Sequence, residues 1–379
     1  MKTNILLFID WFLPGTKAGG PVRSMANLTG HLSDEYVFWV VTRNTEYCET
    51  VPYPNIESNK WIERESYLNV FYASSDKQNK ETFQSIIRDP KFDKVYINGI
   101  YSYKFSILPL KIARKEKKKI IVAPRGMLNP QAFSVKPLKK HVFVVLSKIL
   151  GFYKRVTFHA TNDDEKRHIK DKISKRAKII VAPNLPRKII TKSHTPLAKT
   201  TGTVRLVNIA RVAPEKGTLH MFEYLSKVTS GNIILDVYGP IYNQAYWKLC
   251  EEKISQLPSG ITVNYKGALE GEKVLETLQQ YHFFFMPSEG ENFGHSILEA
   301  LTVGCPVIIS NKTPWVNLES QHIGWDIPLT KTAKFAAVLD RVVAMNEDEY
   351  FQWSDKAFSF AKSYCNDEGL KGQSVRLFK

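Results

Sequence analysis

The chain has 379 residues, more than a single hydrophobic core usually accommodates, so two domains are expected. Hydrophobic residues make up 43% of the sequence and no low-complexity tract is present, which excludes a disordered protein. The four cysteines lie far apart and form no CxxC pair, which indicates a reducing compartment with neither a disulfide framework nor a zinc site.

The net charge of +16 is concentrated in one stretch of the chain. Residues 1–110 hold 12 basic and 12 acidic side chains, residues 111–190 hold 22 and 5, and residues 191–379 hold 19 and 20. An anionic membrane surface, a nucleic acid or simple solvation would each suit such a basic stretch. No nucleic-acid-binding motif accompanies the charge, so we expect no nucleic-acid partner.

The apolar run from Ile5 to Ile9 is expected to be the first buried strand. Asp10 interrupts the run and Pro14 ends it, so it is far shorter than the roughly 20 residues of a membrane-spanning helix. Its single charged leader residue and missing cleavage site make it a poor signal peptide, and we expect a cytoplasmic protein.

A glycine-rich turn with Gly19 and Gly20 follows this strand, and Pro21 can open the first helix. Such a turn lets a ligand approach the backbone, but it matches neither nucleotide-loop pattern. A plain tight turn and a ligand-binding loop therefore both remain open from the residues alone.

Strands and helices alternate through the first half of the chain, which predicts a parallel sheet. Strands are expected at Tyr36–Thr42, Lys94–Asn98 and Lys119–Ala123, with a helix over Phe105–Lys118. Arg125 lies just beyond the last of these strand ends, where its fork of donors suits an oxyanion. A solvated arginine in a turn is the alternative.

The stretch Lys136–Arg155 has clustered apolar residues with lysines at both ends. Together with the basic run 114–119 it predicts a partly amphipathic basic surface. We expect residues 111–155 to contact an anionic membrane surface, at about 1 kcal/mol per basic residue.

A cationic turn follows the strand Val204–Ala210, with which the second domain begins. Arg211 and Lys216 bracket this turn and can both reach one diphosphate. There they would neutralise the charge that develops when a nucleoside diphosphate departs.

A strand, turn, helix and strand occupy residues 283–310, with two carboxylates in sequence. Phe283–Met286 is a buried strand, Glu291 lies in the turn and Glu299 lies on the following helix. In parallel α/β sheets ligands bind at such turns, and a helix start suits a diphosphate. An ordinary crossover with solvated acids is the alternative for either glutamate taken alone.

The pattern of Glu291, seven intervening residues and Glu299 resembles the donor-site signature of the retaining GT-B glycosyltransferases of family 4. Glu299 begins the stretch EALTVGCPVI, which is part of the same resemblance. The residues around Arg125, PRGML, resemble a motif of a bacterial subset of that family that builds surface polysaccharides. Related enzymes often have a histidine where Asn98 stands here, so no catalytic histidine is assigned.

The resemblance implies an α/β protein of GT-B fold, with two Rossmann-like domains facing across a cleft. Residues 1–190 would form the acceptor-binding domain and 191–203 a linker. Residues 204–350 would form the nucleotide-sugar-binding domain, and 351–379 a helical tail that crosses back to the first domain.

The resemblance also implies roles for individual residues. Arg211 and Lys216 would stabilise the leaving diphosphate, Glu291 would hold the transferring sugar and Glu299 the ribose hydroxyls. The remaining implied donor-side positions are Gly239, Leu269, Asn292, Phe293 and Gly294. The implied acceptor-side positions are Gly19, Gly20 and Arg125.

The expected function is transfer of a hexose-type sugar from a UDP- or GDP-linked donor to a lipid-linked bacterial glycan. No DxD pattern or histidine cluster is present, so neither a metal nor another cofactor is expected. A GT-B sugar-nucleotide epimerase, which needs no acceptor, is the alternative enzyme. A basic nucleic-acid-binding module is the alternative outside enzymes.

Overall fold

The computed structural model describes residues 2–130, 133, 137–188 and 194–379. The chain divides into two compact units. The first unit contains the chain up to Lys188 together with Asp367–Lys379. The second unit is Ile189–Asn366. Each unit is built on its own sheet.

The sheet of the first unit has the strand order β3-β4-β2-β1-β5-β6-β7-β8. Its strands are β1 (Thr3–Phe8), β2 (Tyr36–Arg43), β3 (Trp61–Glu65), β4 (Leu68–Ala73), β5 (Lys94–Asn98), β6 (Lys119–Ala123), β7 (Thr157–Ala160) and β8 (Lys178–Val181). All neighbours pair in parallel except β3 and β4. The strands β2, β3 and β4 therefore lie on one side of β1, and the chain continues on its other side from β5 onward.

Helices connect these strands. They are α1 (Gly20–His31), α2 (Lys80–Arg88), α3 (Leu108–Lys115), α4 (Pro137–Ile149) and α5 (Asp163–Lys172). The start of α5 follows from its sequence, because the Asn162 side chain accepts a hydrogen bond from the Glu165 N–H and three acids occupy the first turn.

The predicted strands β2, β5 and β6 are confirmed within one residue at each end, and two features differ from the prediction. β3 and β4 were not predicted, and β3 pairs antiparallel at the sheet edge, where its charged residues stay exposed. The helix expected over Phe105–Lys118 is a π-helical turn, Tyr103–Ile107, followed by α3. Pro109 lacks an N–H and so fits only the first turn of that helix.

The sheet of the second unit is parallel, with the order β11-β10-β9-β12-β13-β14. Its strands are β9 (Thr203–Ile209), β10 (Asn232–Tyr238), β11 (Ile261–Gly267), β12 (Phe283–Met286), β13 (Val307–Ser310) and β14 (Gly324–Ile327). Alternate residues of β9 enter different cores, Leu206 on one face and Val207 on the other. The sheet is therefore covered on both faces, as expected for parallel strands.

The helices of this unit complete both layers. They are α6 (Thr218–Leu225), α7 (Gln244–Ile254), α8 (Val274–Leu278), α9 (His295–Thr302), α10 (Thr332–Ala344) and α11 (Glu347–Cys365). Of the linker predicted over 191–203, residues 191–193 lie outside the described residues.

The C-terminal segment lies in the first unit, where α12 (Glu368–Val375) and the turn Arg376–Phe378 close the chain. The Phe378 ring is buried, with its centroid 5.3 Å from that of Tyr36 and 5.8 Å from that of Tyr96. Lys94 donates to the Phe378 carbonyl. In the described part of the chain, no helix has the length and apolar content needed to span a membrane.

Candidate active site

The strand order of the second unit places a topological switch point between β9 and β12, because the chain leaves β9 in one direction and reaches β12 on its other side. In open parallel sheets, ligands bind where the loops after two such strands separate. Here those loops are residues 210–217 after β9 and 287–294 after β12. They carry the predicted residues Arg211, Lys216 and Glu291.

Lys216 and Glu291 form an ion pair between these two loops. The Lys216 Nζ lies 2.6 Å from Glu291 Oε1, and the side chains are only 20% and 11% exposed. A charge-assisted hydrogen bond of this length in a shielded place is stronger than a surface pair. An ammonium has three N–H donors, and contacts within the described chain occupy one of those on Lys216.

Ser288 fixes the position of Glu291. Its hydroxyl is fully buried, 2.8 Å from Glu291 Oε1 and 2.9 Å from the Glu215 carbonyl oxygen. The Glu289 N–H donates to the same Glu215 carbonyl at 3.0 Å. A single buried hydroxyl thus lies at the junction of both loops. No role was predicted for Ser288, because its only signal in the sequence is its place between a strand-ending proline and Glu291.

Gly217 allows the backbones of the two loops to pass close to each other. Its φ is +69°, and a Cβ atom there would lie 2.0 Å from the Pro287 carbonyl oxygen. Any other residue would therefore both strain the turn and push the loops apart. The spacing of Lys216 and Glu291 depends on this glycine.

Arg211 is the second cation of the loop after β9. Its Nη2 lies 3.3 Å from Glu215 Oε1, with side chains 38% and 53% exposed. An exposed pair of this kind stabilises a fold by less than about 1 kcal/mol. Arg211 can therefore exchange Glu215 for a more highly charged ligand at little cost.

The start of α9 faces the loop after β12. Gly294 precedes the helix with a φ of +79°, and the buried Phe293 is held through its carbonyl by the Trp315 indole N–H. Within the described chain the N–H groups of Phe293 and Gly294 donate no hydrogen bond. Such groups, with the positive end of the helix dipole, favour an anion.

The other predicted donor-side residues lie on neighbouring parts of the same unit. Glu299 is 9% exposed on the second turn of α9, and Asn292 lies directly after Glu291. Gly239 follows β10 and its Cα lies against the Ala210 carbonyl, while Leu269 follows β11 and packs on the core under α9. No group of three His, Cys, Asp or Glu side chains that could hold a metal ion occurs among the described residues.

On the first unit, Arg125 lies beyond β6, where predicted, and has a left-handed φ of +54°. Its Nε donates to Asn98 Oδ1 at 2.9 Å, its Nη1 to Asn184 Oδ1 at 2.5 Å and its Nη2 to the Tyr96 hydroxyl at 2.7 Å. All three acceptors are neutral. Strained residues of this kind cluster at functional sites.

A buried chain of hydrogen bonds orients Arg125. Tyr96 accepts from Arg125 and lies 2.7 Å from His159 Nδ1, and His159 Nε2 lies 2.8 Å from the Ala182 carbonyl. Nδ1 therefore accepts from the Tyr96 hydroxyl while the Nε2–H donates, so the imidazole is neutral. Burial, with a further contribution from the charge of Arg125, lowers the pKa of His159 to about 3.

The predicted Gly19 and Gly20 lie at the start of α1, with Gly19 at a φ of +75° and open space where a side chain would stand. The Arg125 Nη2 is 3.7 Å from the Met25 sulfur on α1. Arg125 and α1 thus lie side by side at one edge of the sheet.

Residues 190–358 match the model of the family glycosyl transferases group 1. This range contains both loops of the switch point. The curated relative sulfoquinovosyl transferase SQD2 of Arabidopsis thaliana is 25% identical over 103 residues, which are 27% of this chain and 18% of that protein.

Solved structures similar to the whole chain show the GT-B fold. They include sucrose-phosphate synthase from Thermosynechococcus elongatus, with 16% identity, a TM-score of 0.71 and coverage of 100% of this chain and 98% of that one. Anabaena Alr3699/HepE, solved in complex with UDP and glucose, has 12% identity, a TM-score of 0.68 and 99% coverage of both chains. WaaG, a glycosyltransferase involved in lipopolysaccharide biosynthesis, has 12% identity, a TM-score of 0.66 and 98% coverage of both. The predicted GT-B fold of two α/β units is confirmed.

Proposed function

We propose that the protein is a glycosyltransferase that moves a hexose-type sugar from a UDP- or GDP-linked donor to a lipid-linked bacterial glycan, with retention of anomeric configuration. The observation that carries the proposal is the switch point after β9 and β12. There the ion pair of Lys216 and Glu291 joins the two loops, with Arg211 on the first loop and the start of α9 after the second, in the range that matches the glycosyl transferases group 1 model. The UDP and glucose bound by Anabaena HepE support the same donor class.

Each charged residue has a task in the transfer. Lys216 and Arg211 bind the diphosphate and stabilise the negative charge that it gains as the bond from the sugar C1 to the phosphate oxygen breaks. The acceptor oxygen forms its bond to C1 on the same face, and its proton passes to the departing phosphate. Glu299 binds the ribose hydroxyls.

Glu291 binds sugar hydroxyls in this proposal and does not attack C1. Its Oε1 lies within hydrogen-bond distance of both Lys216 and Ser288, which stabilise the carboxylate negative charge and reduce its nucleophilicity. A covalent glycosyl-enzyme intermediate, as formed by retaining hydrolases, is therefore disfavoured.

Thermal shift measurements with UDP-, GDP- and ADP-sugars test the donor. A donor at 100 times its Kd should add about 2.7 kcal/mol to the free energy of unfolding. Lys216→Ala should lose most of the shift, while Lys227→Ala, at an exposed lysine of the same unit, should keep it. No shift with any sugar nucleotide would contradict the proposal. We expect turnover of the matching donor to survive EDTA, as no metal is required.

The acceptor side is assigned to Gly19, Gly20 and Arg125 in the first unit. Arg125 forms no ion pair with an acid in the described chain, so its charge is balanced only by neutral acceptors. A charge held in this way is stabilised when an acceptor phosphate arrives. The lipopolysaccharide role of WaaG supports a bacterial glycan as acceptor.

Peripheral binding to the inner face of the plasma membrane is part of the proposal, and α4 supports it. The helix exposes an apolar stripe at the spacing of one face, in which Leu138 is 77% exposed and Ile149 74%. The other exposed members are Val142, Val145, Leu146 and Leu150. Lys139 and Lys148 flank this stripe, as in helices that lie in a membrane interface. Residues 131–132 and 134–136 of the predicted basic surface lie outside the described residues.

Liposome flotation separates the electrostatic contribution of the lysines to membrane binding from the hydrophobic contribution of the apolar stripe. Reversing Lys117, Lys139 and Lys148 to glutamate should reduce binding to vesicles that contain phosphatidylglycerol. Lys118 is left unchanged because its ammonium donates to the carbonyl groups of Asp89 and Phe92. Leu138→Ser with Ile149→Ser should weaken binding to anionic and neutral vesicles alike. Unchanged flotation of both variants would contradict membrane docking.

A further inference from the structure

The first unit has its own topological switch point, between β1 and β5, and Asp10 lies there. The Asp10 carboxylate follows β1, and its Oδ1 accepts a hydrogen bond from Ser102 Oγ, beyond β5, at 2.8 Å. The strand order makes this the place in the N-terminal sheet where a ligand is expected. The sequence presented Asp10 only as the residue that interrupts an apolar run.

The two oxygens of Asp10 differ in their partners. Oδ1 also accepts from Arg43 Nη2 at 2.8 Å, whereas Oδ2 accepts no hydrogen bond from the described residues. The side chain is 19% exposed, so it is shielded but reachable. An ionised carboxylate has acceptor capacity on both oxygens, and half of it remains unused here.

Arg43 is held rigidly beside Asp10. Its guanidinium lies 5.1 Å from the Trp11 ring centroid and 4.9 Å from that of Phe105, and Nη1 donates to Gln78 Oε1 at 3.1 Å. These contacts prevent Arg43 from turning to cover Oδ2.

Several buried donors near this carboxylate lack a partner. Among the described residues, the Trp11 indole N–H, the Arg43 Nε–H and the Tyr53 hydroxyl are buried without a hydrogen bond. Leaving such a group unpaired is destabilising. Trp11 and Arg43 lie directly around Asp10, and Tyr53 lies against Gly15 of the loop after β1. Unpaired buried groups need an explanation, and a ligand provides one.

The charges decide which ligand class fits. Asp10 and Arg43 neutralise each other, so the place favours neither a phosphate nor a divalent cation. What it offers is one strong acceptor, Oδ2, on the residue before Trp11, whose ring lies against the Arg43 guanidinium that pairs with Asp10. Hydroxyl groups that donate to a carboxylate, on a ring that packs against an aromatic side chain, are the chemistry of a neutral sugar.

We propose that Asp10 and Trp11 form a binding site for the acceptor sugar, in which Asp10 Oδ2 accepts a hydrogen bond from a sugar hydroxyl. The site rests on the proposed glycosyltransferase function and specifies its acceptor. The acceptor then presents a neutral glycosyl residue to the first unit, beyond whatever phosphate or lipid it carries. Arg43 and Ser102 act as positioning residues, because they orient the carboxylate through Oδ1.

Asp10→Asn tests this assignment with little change in shape. The amide oxygen can keep the hydrogen bonds from Arg43 and Ser102, while an NH2 group replaces Oδ2 and donates instead of accepting. Binding of a panel of methyl hexopyranosides is measured by saturation-transfer NMR. The wild type should bind at least one member, and Asp10→Asn should weaken that binding roughly 10-fold or more. The matched control Asp34→Asn, at a carboxylate with a side-chain exposure of 76%, should bind like the wild type.

The outcomes are distinct. Equal binding by wild type and Asp10→Asn, or no binding of any hexoside by the wild type, would overturn the site. If Asp10→Asn does not fold, Trp11→Phe takes its place, since it removes the indole N–H but keeps an aromatic ring, and it should also weaken binding. Hydrolysis of the sugar nucleotide by the wild type without acceptor tests the donor function separately. Absence of this hydrolysis would contradict the proposed donor function. The measurement of hexoside binding does not depend on that result.

Discussion

Beyond the carboxyl ends of their central strands, the two sheets hold similar side chains at equivalent places. In the second unit, the ion pair of Lys216 and Glu291 lies at the switch point, with the Ser288 hydroxyl on the carboxylate. In the first unit, Arg43 and Asp10 form the ion pair, and Ser102 donates to the carboxylate. Both carboxylates are thus fixed by one cation and one serine.

The two sites differ in what remains after the ion pair is formed. In the second unit, Arg211 is held only by an exposed pair with Glu215, and the N–H groups of Phe293 and Gly294 at the start of α9 donate no hydrogen bond within the described chain. Donors to an anion are therefore available beside the pair. In the first unit, aromatic rings cover the cation and one carboxylate oxygen stays open. The hydrogen-bond donors or acceptors that remain beside the pair, and not the pair itself, therefore decide between a diphosphate and a sugar.

The largest effect is expected from Lys216→Ala. Removal of one donor to a developing negative charge should lower the rate of donor turnover about 100-fold or more, and Arg211→Ala should do likewise. Steady-state assays with the donor identified by thermal shift measure the loss. Lys227→Ala is the control, since that lysine is exposed and lies outside both loops.

A rate near that of the wild type in both variants would remove the cationic loop from the account of leaving-group stabilisation. The comparison of the two sites would then lose its electrostatic basis, because the cations of the second unit would not contribute to the reaction.

A smaller effect, about 10-fold in donor turnover, is expected from Ser288→Ala. The substitution leaves the Glu215 carbonyl and Glu291 Oε1 without their buried hydroxyl partner, a loss of about 1 to 3 kcal/mol. Ser102→Ala in the first unit is its matched partner. It should leave donor hydrolysis unchanged and raise only the KM for the acceptor.

This pair of serine variants discriminates between the two sites. Equal effects of Ser288→Ala and Ser102→Ala on donor hydrolysis would mean that the serines act through general stability. Unfolding midpoints of both variants, measured alongside, identify that case.

The sequence was sufficient where apolar runs and turns are unambiguous. The buried strand β12 and the strand β5 have the predicted ends, because each is a short apolar run bounded by polar or turn residues. The positions of Lys216 and Glu291 at strand ends were predicted as well, and the ion pair between them was not. Its formation depends on the close passage of two loops at Gly217, which are distant in the chain.

Contacts between distant segments account for most of what the sequence could not supply. The edge strand β3 was missed because its charged residues hide the alternation of an exposed strand, and the strand β4 that pairs with it was missed as well. Arg125 was predicted to bind an acceptor oxyanion, and its hydrogen bonds to Asn98, Asn184 and Tyr96 were not predicted. Those three residues are brought together only by the order of β5, β6 and β8, which local patterns do not specify. Its role as an acceptor-binding residue stays a prediction.

Arg125 is also the basis of the smallest expected effect, which concerns stability and pH. His159 lies behind Tyr96 in the hydrogen-bond chain that holds Arg125, and its pKa in the folded state is about 3, below the usual 6.5. The unfolded chain therefore takes up a proton as the pH falls below 6.5 and the folded chain does not. The stability from the neutral imidazole is fully present above pH 6.5 and is lost as the pH falls toward 3. The loss should be about 1 kcal/mol between pH 6.5 and 5.5, from 1.36 kcal/mol per pKa unit.

Urea unfolding at a series of pH values between 7 and 5 measures this loss. His159→Gln removes the titrating group, so it should lower the free energy of unfolding at pH 7 and flatten its decline in acid. His220→Gln, at a histidine whose side chain is 36% exposed, should leave the decline unchanged. An equally steep decline in His159→Gln would show that the acid sensitivity arises elsewhere. Burial also lowers the pKa of His282 in the second unit to about 4, so His159→Gln should flatten the decline in part and not abolish it.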